Sequence, residues 1–396
     1  MRTELVPLDR VIYLDYHAST PVDPRVTASM APHLSDNFGN PHAADHIAGW
    51  RAYKAVETAA QKIASALGID SDEVIFTSGA TESNNLAILG IARRAPQSRR
   101  RILVSAIEHK SVLAAAHATT SLGFSVEQIP VDRNGLVGLE DLQHRLRSDV
   151  LLVSVMAVNN EIGTIQSIGE IVRCAHAVGA YVHTDAAQAL AAGPLDPGSW
   201  DVDLMSLSGH KIYGPKGIGL LVIQREVQGK LEPLTYGGGQ QNGIRPGTLP
   251  VPLCVGLAEA VGLTRGEAAE EEQKRLRALR DGLVCKLQRV DGRISLNGPP
   301  LTTRHPGNAN LRFTGLDGRD LLGRLQPYVA ASTGSACTSG IPEPSHVLRA
   351  IGLSSIEADS SIRFSVGRFT ADADIDEAVA LIAKVIQELN TSRRDS

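Results

Sequence analysis

Leu204–Gly219, LMSLSGHKIYGPKGIG, is an apolar run stopped by Ser-Gly-His-Lys and then by a turn punctuated at Gly214, Pro215 and Gly217. The run Val202–Leu207 predicts a buried strand, and Ile218–Ile223 predicts a second one immediately after the turn. Lys211 stands just past the first strand, among small and hydroxyl neighbours. Burial there would lower the pKa of its amine, which is what a lysine needs to become a nucleophile toward a carbonyl. Taken alone, the same stretch also describes a surface lysine in a hairpin turn, so the rest of the chain has to choose between the two.

Outward from this stretch, strands and helices alternate. Val74–Thr77 reads as a strand and Thr81–Arg93 as a helix; Arg101–Ala106 is a strand and Ser111–Thr119 a helix. Val150–Val158 is a strand, Ile168–Val178 a helix and Tyr181–Thr184 a strand. Such alternation predicts βαβ units and a mostly parallel, helix-covered sheet, an α/β fold. Upstream, the strand Val11–Asp15 opens into HASTPVDP, a short helix covers Pro24–Leu34, NFGNPH is a loop, and the helix Gly49–Leu67 stops at Gly68. From Val255 the texture changes to a long charged helical stretch reaching about Val290, short strands at Ala309–Thr314 and Ser361–Ser365, and a closing helix, Ile375–Leu389. The expected division is a large domain over 17–255 and a smaller α+β domain made of 1–16 and 256–396, with a small-residue loop at 330–342.

Composition narrows the class. Across 396 residues, 43% hydrophobic and 21% charged content is that of a soluble globular enzyme, and a net charge of −4 provides no field for nucleic acid or anionic membranes. Arg93, Arg94, Arg99, Arg100 and Arg101 form a local exception, read as a solvated loop or a docking patch for an acidic partner. Four cysteines at 174, 254, 285 and 337 stand far apart, with no CxxC pair and no spacing suited to a metal. There is no apolar run of membrane-spanning length and no signal-peptide layout in Met1–Arg10, so the protein is expected to be soluble and cytoplasmic.

The residues that could carry chemistry cluster at predicted strand ends. Thr77-Ser78-Gly79-Ala80-Thr81-Glu82 joins a strand to a helix, where backbone N–H groups and the helix dipole favour an anion; Ser78 or Thr81 would equally serve as a cap. Asp185, in VHTDAAQ, falls at the carboxyl end of a strand, where open α/β sheets bind ligands, and Gln188 points from the next turn toward the same crevice. His109 in IEHKS and Asn160 in VNNEIG occupy matching places after two other strands. Cys337, in ASTGSACTSG, has nothing around it that could bury it, which favours an exposed, working thiol over an inert one. Arg363, in SIRFSVGRF, has the place of an inward arginine able to clamp a carboxylate, and Arg368 is the second choice.

Together these stretches resemble the class I cysteine desulfurases of the NifS/IscS type, fold-type I pyridoxal-phosphate enzymes. The matching motifs are LDYHASTPVDP, FGNPH, FTSGATESNNLAI, EHKSV, VNNEIGT, HTDAAQ, SLSGHKIYGPKGIG, RPGTLP, GSACTSG, EPSHVLRAIG and SIRFSVGRF, in the family's order from residue 14 to about 370. The resemblance implies that Lys211 holds pyridoxal 5'-phosphate covalently and later takes the Cα proton of the substrate. It implies that Asp185 pairs with the ring nitrogen, that His109 stacks on the ring and moves protons, and that Gln188 bonds the ring oxygen. Ala80, Thr81, Ser208 and His210 would hold the phosphate, and Thr248 would reach it from the other subunit of a homodimer. Asn160 and Arg363 would grip the carboxylate of L-cysteine, and Cys337 would take its sulfur as a persulfide, releasing L-alanine. The sulfur would pass to an acceptor protein serving iron–sulfur assembly, tRNA thiolation or DNA phosphorothioation; the ending NTSRRDS lacks the longer extension of iron–sulfur-assembly members. The alternatives are a selenocysteine lyase, or another pyridoxal-phosphate lyase or transaminase. His17 departs from the small or hydroxyl residue that relatives commonly carry there.

Overall fold

The computed structural model describes residues 11–193, 197–334 and 343–392. Its centre is a seven-stranded sheet in the order Val74–Thr77, Gly219–Ile223, Leu204–Ser208, Tyr181–Asp185, Val150–Ser154, Arg101–Ser105, Ser125–Ile129. All neighbours run parallel except Gly219–Ile223, which is antiparallel to both strands beside it. The hairpin reading of the Lys211 stretch is therefore correct as local geometry: the two strands pair directly, Ser208 opposite Gly219. Most of these strands are buried along their whole length, because helices cover both faces and leave no water-facing side.

Gly219 is required where it stands. A Cβ there would lie 2.4 Å from the Leu207 carbonyl oxygen and 2.6 Å from Gly79 Cα, so only glycine lets the Ser78–Gly79 turn close against this strand. That approach brings the start of the helix Ala80–Arg93 beside the turn that carries Lys211.

A second hydrophobic core is built from Ile12 and Leu14 together with residues 276–389. It holds a three-stranded antiparallel sheet, with Asn308–Phe313 between Ile294–Leu296 and Ser361–Ser365, packed by the helices Glu267–Val290 and Asp372–Ser392. The long stretch after Val255 is two helices, Val251–Gly262 and Glu267–Val290. The first buries Cys254, Leu257, Ala258, Ala260 and Val261 in the core of the large sheet and not in the second core.

Several elements escaped the sequence reading, among them the helices Leu139–Arg145 and Gly318–Leu325 and the strand Ser125–Ile129. The strand lies at the sheet edge and is buried only at Ile129, so its sequence shows no apolar run. The strand read as Val150–Val158 ends at Ser154, since beyond it the backbone turns to pair through isolated bridges. The arginine cluster is spent on structure: Arg94, Arg99 and Arg100 bond backbone carbonyls, Arg93 caps Pro233 O, and Arg101 pairs with Glu127 and Asp149. No helix among the described residues is long and apolar enough to cross a membrane.

Candidate active site

The carboxyl ends of the parallel strands open into a cavity of about 580 Å³. Nine of the residues singled out above line it: Ala80, Thr81, His109, Asn160, Asp185, Gln188, Ser208, His210 and Lys211. They come from five turns, at 80–81, 109, 160, 185–188 and 208–211, which share one edge of the sheet, and side chains at strand ends converge there. Arg363 and Thr248 are not part of this wall, and Cys337 lies outside the described residues.

Lys211 ends the short 3-10 turn Gly209–Lys211 that follows its strand. Its Nζ donates to the carbonyls of His17 at 2.6 Å and Ala18 at 2.9 Å. Burial, and then the nearby charge of Arg363, push the amine down to about 8, against the opposing pull of Asp185 and Asp15. A lysine amine so lowered is still mostly protonated near physiological pH, but its neutral share is far larger than that of an ordinary lysine. The His17 carbonyl also accepts from Gln188 Nε2 at 3.0 Å, so one backbone group orients both side chains. His17 enters the site through its backbone, while its imidazole is buried with Nδ1 3.0 Å from Asn160 O and Nε2 3.2 Å from His305 Nδ1.

Asp185 closes its strand and is nearly buried, with Oδ1 accepting from Ala187 N at 3.0 Å and Oδ2 from Asn84 Nδ2 at 2.7 Å. His109 caps the helix Lys110–Ala118, its Nδ1 accepting from Ser111 N. The ring is open to the cavity, yet protein crowds its other sides. Burial lowers its pKa; Asp185 opposes that shift, and Lys211, His346 and Lys110 reinforce it. The opposite end of the cavity is the start of the helix Ala80–Arg93, capped at Gly79, with Ser208 and His210 beside it. Burial, then Lys211 and Lys216, take His210 down to about 4, so it is a neutral hydrogen-bonding group here. Lys216, which the sequence reading passed over, also lines this end; its only signal was its place in the GPKG turn.

Arg363 lies behind Asn160. It is buried, donates to Asp15 Oδ1 at 2.6 Å and to the Asn160 carbonyl at 3.2 Å, and its Nε has no partner among the described residues. Arg368 is fully engaged by Asp23 and Glu272 and stacks 4.1 Å over the Tyr213 ring, which removes it as a clamp. Asn160 follows Asn159, whose Oδ1 takes the backbone N–H groups of Glu161 and Ile162; Asn159 makes the turn and leaves Asn160 on the cavity wall. Thr248 is exposed.

An amine, a buried acid and a helix N-terminus around one cavity define the class of protein. The aminotransferase class-V family model matches residues 12–378. The chain belongs to that family and, within it, to the cysteine desulfurases, which are pyridoxal-phosphate-dependent enzymes. It is 43% identical over 389 residues to cysteine desulfurase IscS of Rickettsia akari, covering 98% of this chain and 94% of that one. It is 44% identical over 393 residues to the cysteine desulfurase of Homo sapiens, covering 99% of this chain and 85% of that one. Among solved structures, a NifS-like protein superposes with a TM-score of 0.88 at 34% identity, covering 96% of this chain and 99% of that one. SspA in complex with cysteine superposes with a TM-score of 0.79 at 37% identity, covering 91% and 99%. DndA from Streptomyces lividans does so with 0.75 at 40%, covering 88% and 97%.

The residues present fit pyridoxal phosphate. Lys211 offers a low-pKa amine, Asp185 an acceptor for a protonated ring nitrogen, and the Ala80 helix start backbone donors for a phosphate.

Proposed function

We propose that this protein converts L-cysteine to L-alanine and loads the sulfur onto Cys337 for transfer to an acceptor protein. The observation that carries this is the Lys211 amine, lowered to about 8, in the same cavity as Asp185 and the Ala80 helix start. When bound, pyridoxal phosphate supplies an electron sink conjugated to the substrate Cα. Asp185 would keep the ring nitrogen protonated and Gln188 would bond the ring oxygen. The phosphate would rest on the backbone of Ala80 and Thr81, with Ser208 and His210 alongside. Lys211 would move the proton at Cα, and His109 would stack over the ring.

Arg363 and Asn160 would hold the substrate carboxylate. Arg363 suits this because Asp15 already fixes one edge of its guanidinium and its Nε lacks a partner among the described residues. Cys337 Sγ would attack the substrate sulfur. An S–S bond forms as Cβ–S breaks, the electron pair stays with the carbon, and a proton completes L-alanine.

The working unit would be a homodimer in which Thr248 reaches the phosphate of the other subunit. Phe38, Ile47, Trp50 and Tyr53 support an interface, since they leave large apolar side chains exposed, the last three at helical spacing along one helix. The second core and the large sheet would fold as two domains, divided after Gly262 rather than at 255, because Val251–Gly262 belongs to the first core. The free thiols of Cys174, Cys254 and Cys285 suit a reducing compartment, the cytoplasm.

The test is Cys337→Ser with radiolabelled L-cysteine. Pyridoxal phosphate should still bind, while the protein-bound sulfur label and its transfer to any acceptor disappear. Persisting label on the variant would remove Cys337 from the role.

A further inference from the structure

Asn84, on the helix Ala80–Arg93, is fully buried, and its amide touches two parts of the active site at once. Its Nδ2 donates to Asp185 Oδ2 at 2.7 Å and to Ser111 Oγ at 2.9 Å. Ser111 Oγ lies 2.8 Å from His109 Nδ1, and the Ser111 backbone N–H donates to that same nitrogen at 3.1 Å. The four groups form one chain from the acid to the histidine.

The directions of these bonds follow from which groups can donate. A carboxylate only accepts, so the NH₂ of Asn84, and not its oxygen, faces Asp185. The second N–H of the same amide then serves Ser111 Oγ. The serine hydroxyl has a single proton, and with its oxygen accepting from Asn84 that proton is directed to His109 Nδ1. Two donors, the hydroxyl and the backbone N–H, converge on Nδ1, which must present its lone pair. A neutral ring in that arrangement carries its proton on Nε2, the nitrogen outside the chain. The Asn84 oxygen has no partner among the described residues, yet the amide cannot turn over without setting that oxygen against Asp185.

We propose that Asn84 is a positioning residue that ties Asp185 to His109 through Ser111, holding His109 as a neutral imidazole with its proton on Nε2. In this form His109 donates a hydrogen bond from Nε2 and cannot take a proton there. To act as an acid it must first be protonated at Nδ1, which breaks the bond from the Ser111 backbone N–H and reverses the one with its hydroxyl. The arrangement leaves proton removal at Cα to Lys211 and makes His109 a fixed donor above the ring. The inference rests on the reading of His109 as the residue over the cofactor.

The test reads the tautomer directly. In protein as purified, with ¹⁵N-labelled histidine, long-range ¹⁵N–¹H NMR distinguishes Nε2–H from Nδ1–H; the His109 signals are those lost in His109→Asn. The wild-type protein is expected to show Nε2–H alone. Ser111→Ala and Asn84→Ala should each displace the His109 Nδ1 signal in the same direction. The double variant should go no further than Ser111→Ala, because both act through one link. A wild-type Nδ1–H form overturns the proposal, as does an Nδ1 signal that Asn84→Ala leaves in place while Ser111→Ala moves it. If the buried Asn84→Ala does not fold, the half-buried Ser111 decides: an unmoved Nδ1 signal in Ser111→Ala overturns the proposal. Cofactor uptake is read by visible absorbance on the same samples. A protein that never takes up pyridoxal phosphate defeats the function proposed above while leaving the tautomer result to be judged separately.

Discussion

The wall of the cavity and the cluster of side chains behind it are built in opposite ways. On the sheet wall, Ala80, His109, Asp185 and Ser208 each stand at the end of a buried strand or in the turn after it. Any one of them is fixed by its own strand. Behind it, Asp15, His17, His305 and Arg363 come from three distant segments and hold one another. Arg363 depends on Asp15, 348 residues away, and His17 sits against His305 across 288. The wall is a set of independent local solutions, and the cluster behind it is a mutual one. A change on the sheet wall should therefore remove a chemical step and leave the fold alone. A change among the long-range pairings behind it should disturb stability where it unpairs a buried charge, and substrate grip where it removes a donor to the carboxylate.

Lys211→Ala is the largest test of the first half of that contrast. Loss of the base at Cα should lower turnover by about 10²–10⁴-fold and abolish the visible band of the lysine-bound cofactor, with the melting temperature of the cofactor-free protein little changed. A variant that loses its fold along with its turnover would break the contrast.

Arg368→Ala probes the second half. It leaves Asp23, which is 3% exposed in its side chain, without that partner and strips the cation from Tyr213. Asp23 keeps its two bonds from the Arg25 guanidinium, so the cost should stay below the ~3–5 kcal/mol of a buried charge left unpaired; it is to be seen in urea unfolding, with KM for L-cysteine nearly unchanged.

The pH dependence of stability sharpens the sheet wall further. An amine at about 8 in the folded protein and 10.5 outside it binds fewer protons folded than unfolded between those values. Stability of the cofactor-free protein should accordingly rise with pH from 8 toward 10, by at most about 3 kcal/mol. Tyr13 and Tyr213 work the other way above pH 10, since burial raises their phenols, so the comparison belongs below that pH. Lys211→Met should remove this contribution and leave the opposed ones of Arg304, lowered by burial, and Cys254, raised by it; equal slopes in thermal melts of the two proteins would contradict it.

The smallest effect expected is that of Arg363→Lys. The charge beside Asp15 is kept, so the fold should hold, but the second donor to a carboxylate is lost. KM should rise about tenfold, with kcat close to wild type, as for loss of uniform binding. An unchanged KM would take Arg363 out of the carboxylate grip.

The sheet wall was legible in the sequence for the same reason that it is local. VIFTSGATE, IEHKS, VHTDAAQ and SLSGHK each carry both the strand and the residue it presents, so periodicity finds the strand and the breaker residues mark its end. Reading Lys211 as a hairpin residue and as a buried amine were never exclusive, because it sits in an antiparallel turn at the mouth of a parallel sheet. The edge strand Ser125–Ile129 stayed hidden because water faces most of it. Asn84 was hidden in a different way, inside a helix whose pattern explains it as one more buried position. Nothing near it in sequence shows that Asp185 lies 2.7 Å from its amide.

By itself, then, the sequence determined the alternating architecture, the turn that carries Lys211 and the strand-end residues that line one cavity. All of these depend on short-range forces: strand propensity, burial of apolar runs, and glycine where the backbone must close up, as at Gly219. Only the tertiary structure decided that Arg368 is spent on Asp23 and Glu272 while Arg363 Nε is left without a partner among the described residues, that His17 works through its carbonyl, and that Asn84 joins acid to histidine. The side chains in these pairings lie up to hundreds of residues apart. Whether a donor or acceptor is already satisfied depends on which groups packing brings within hydrogen-bond reach.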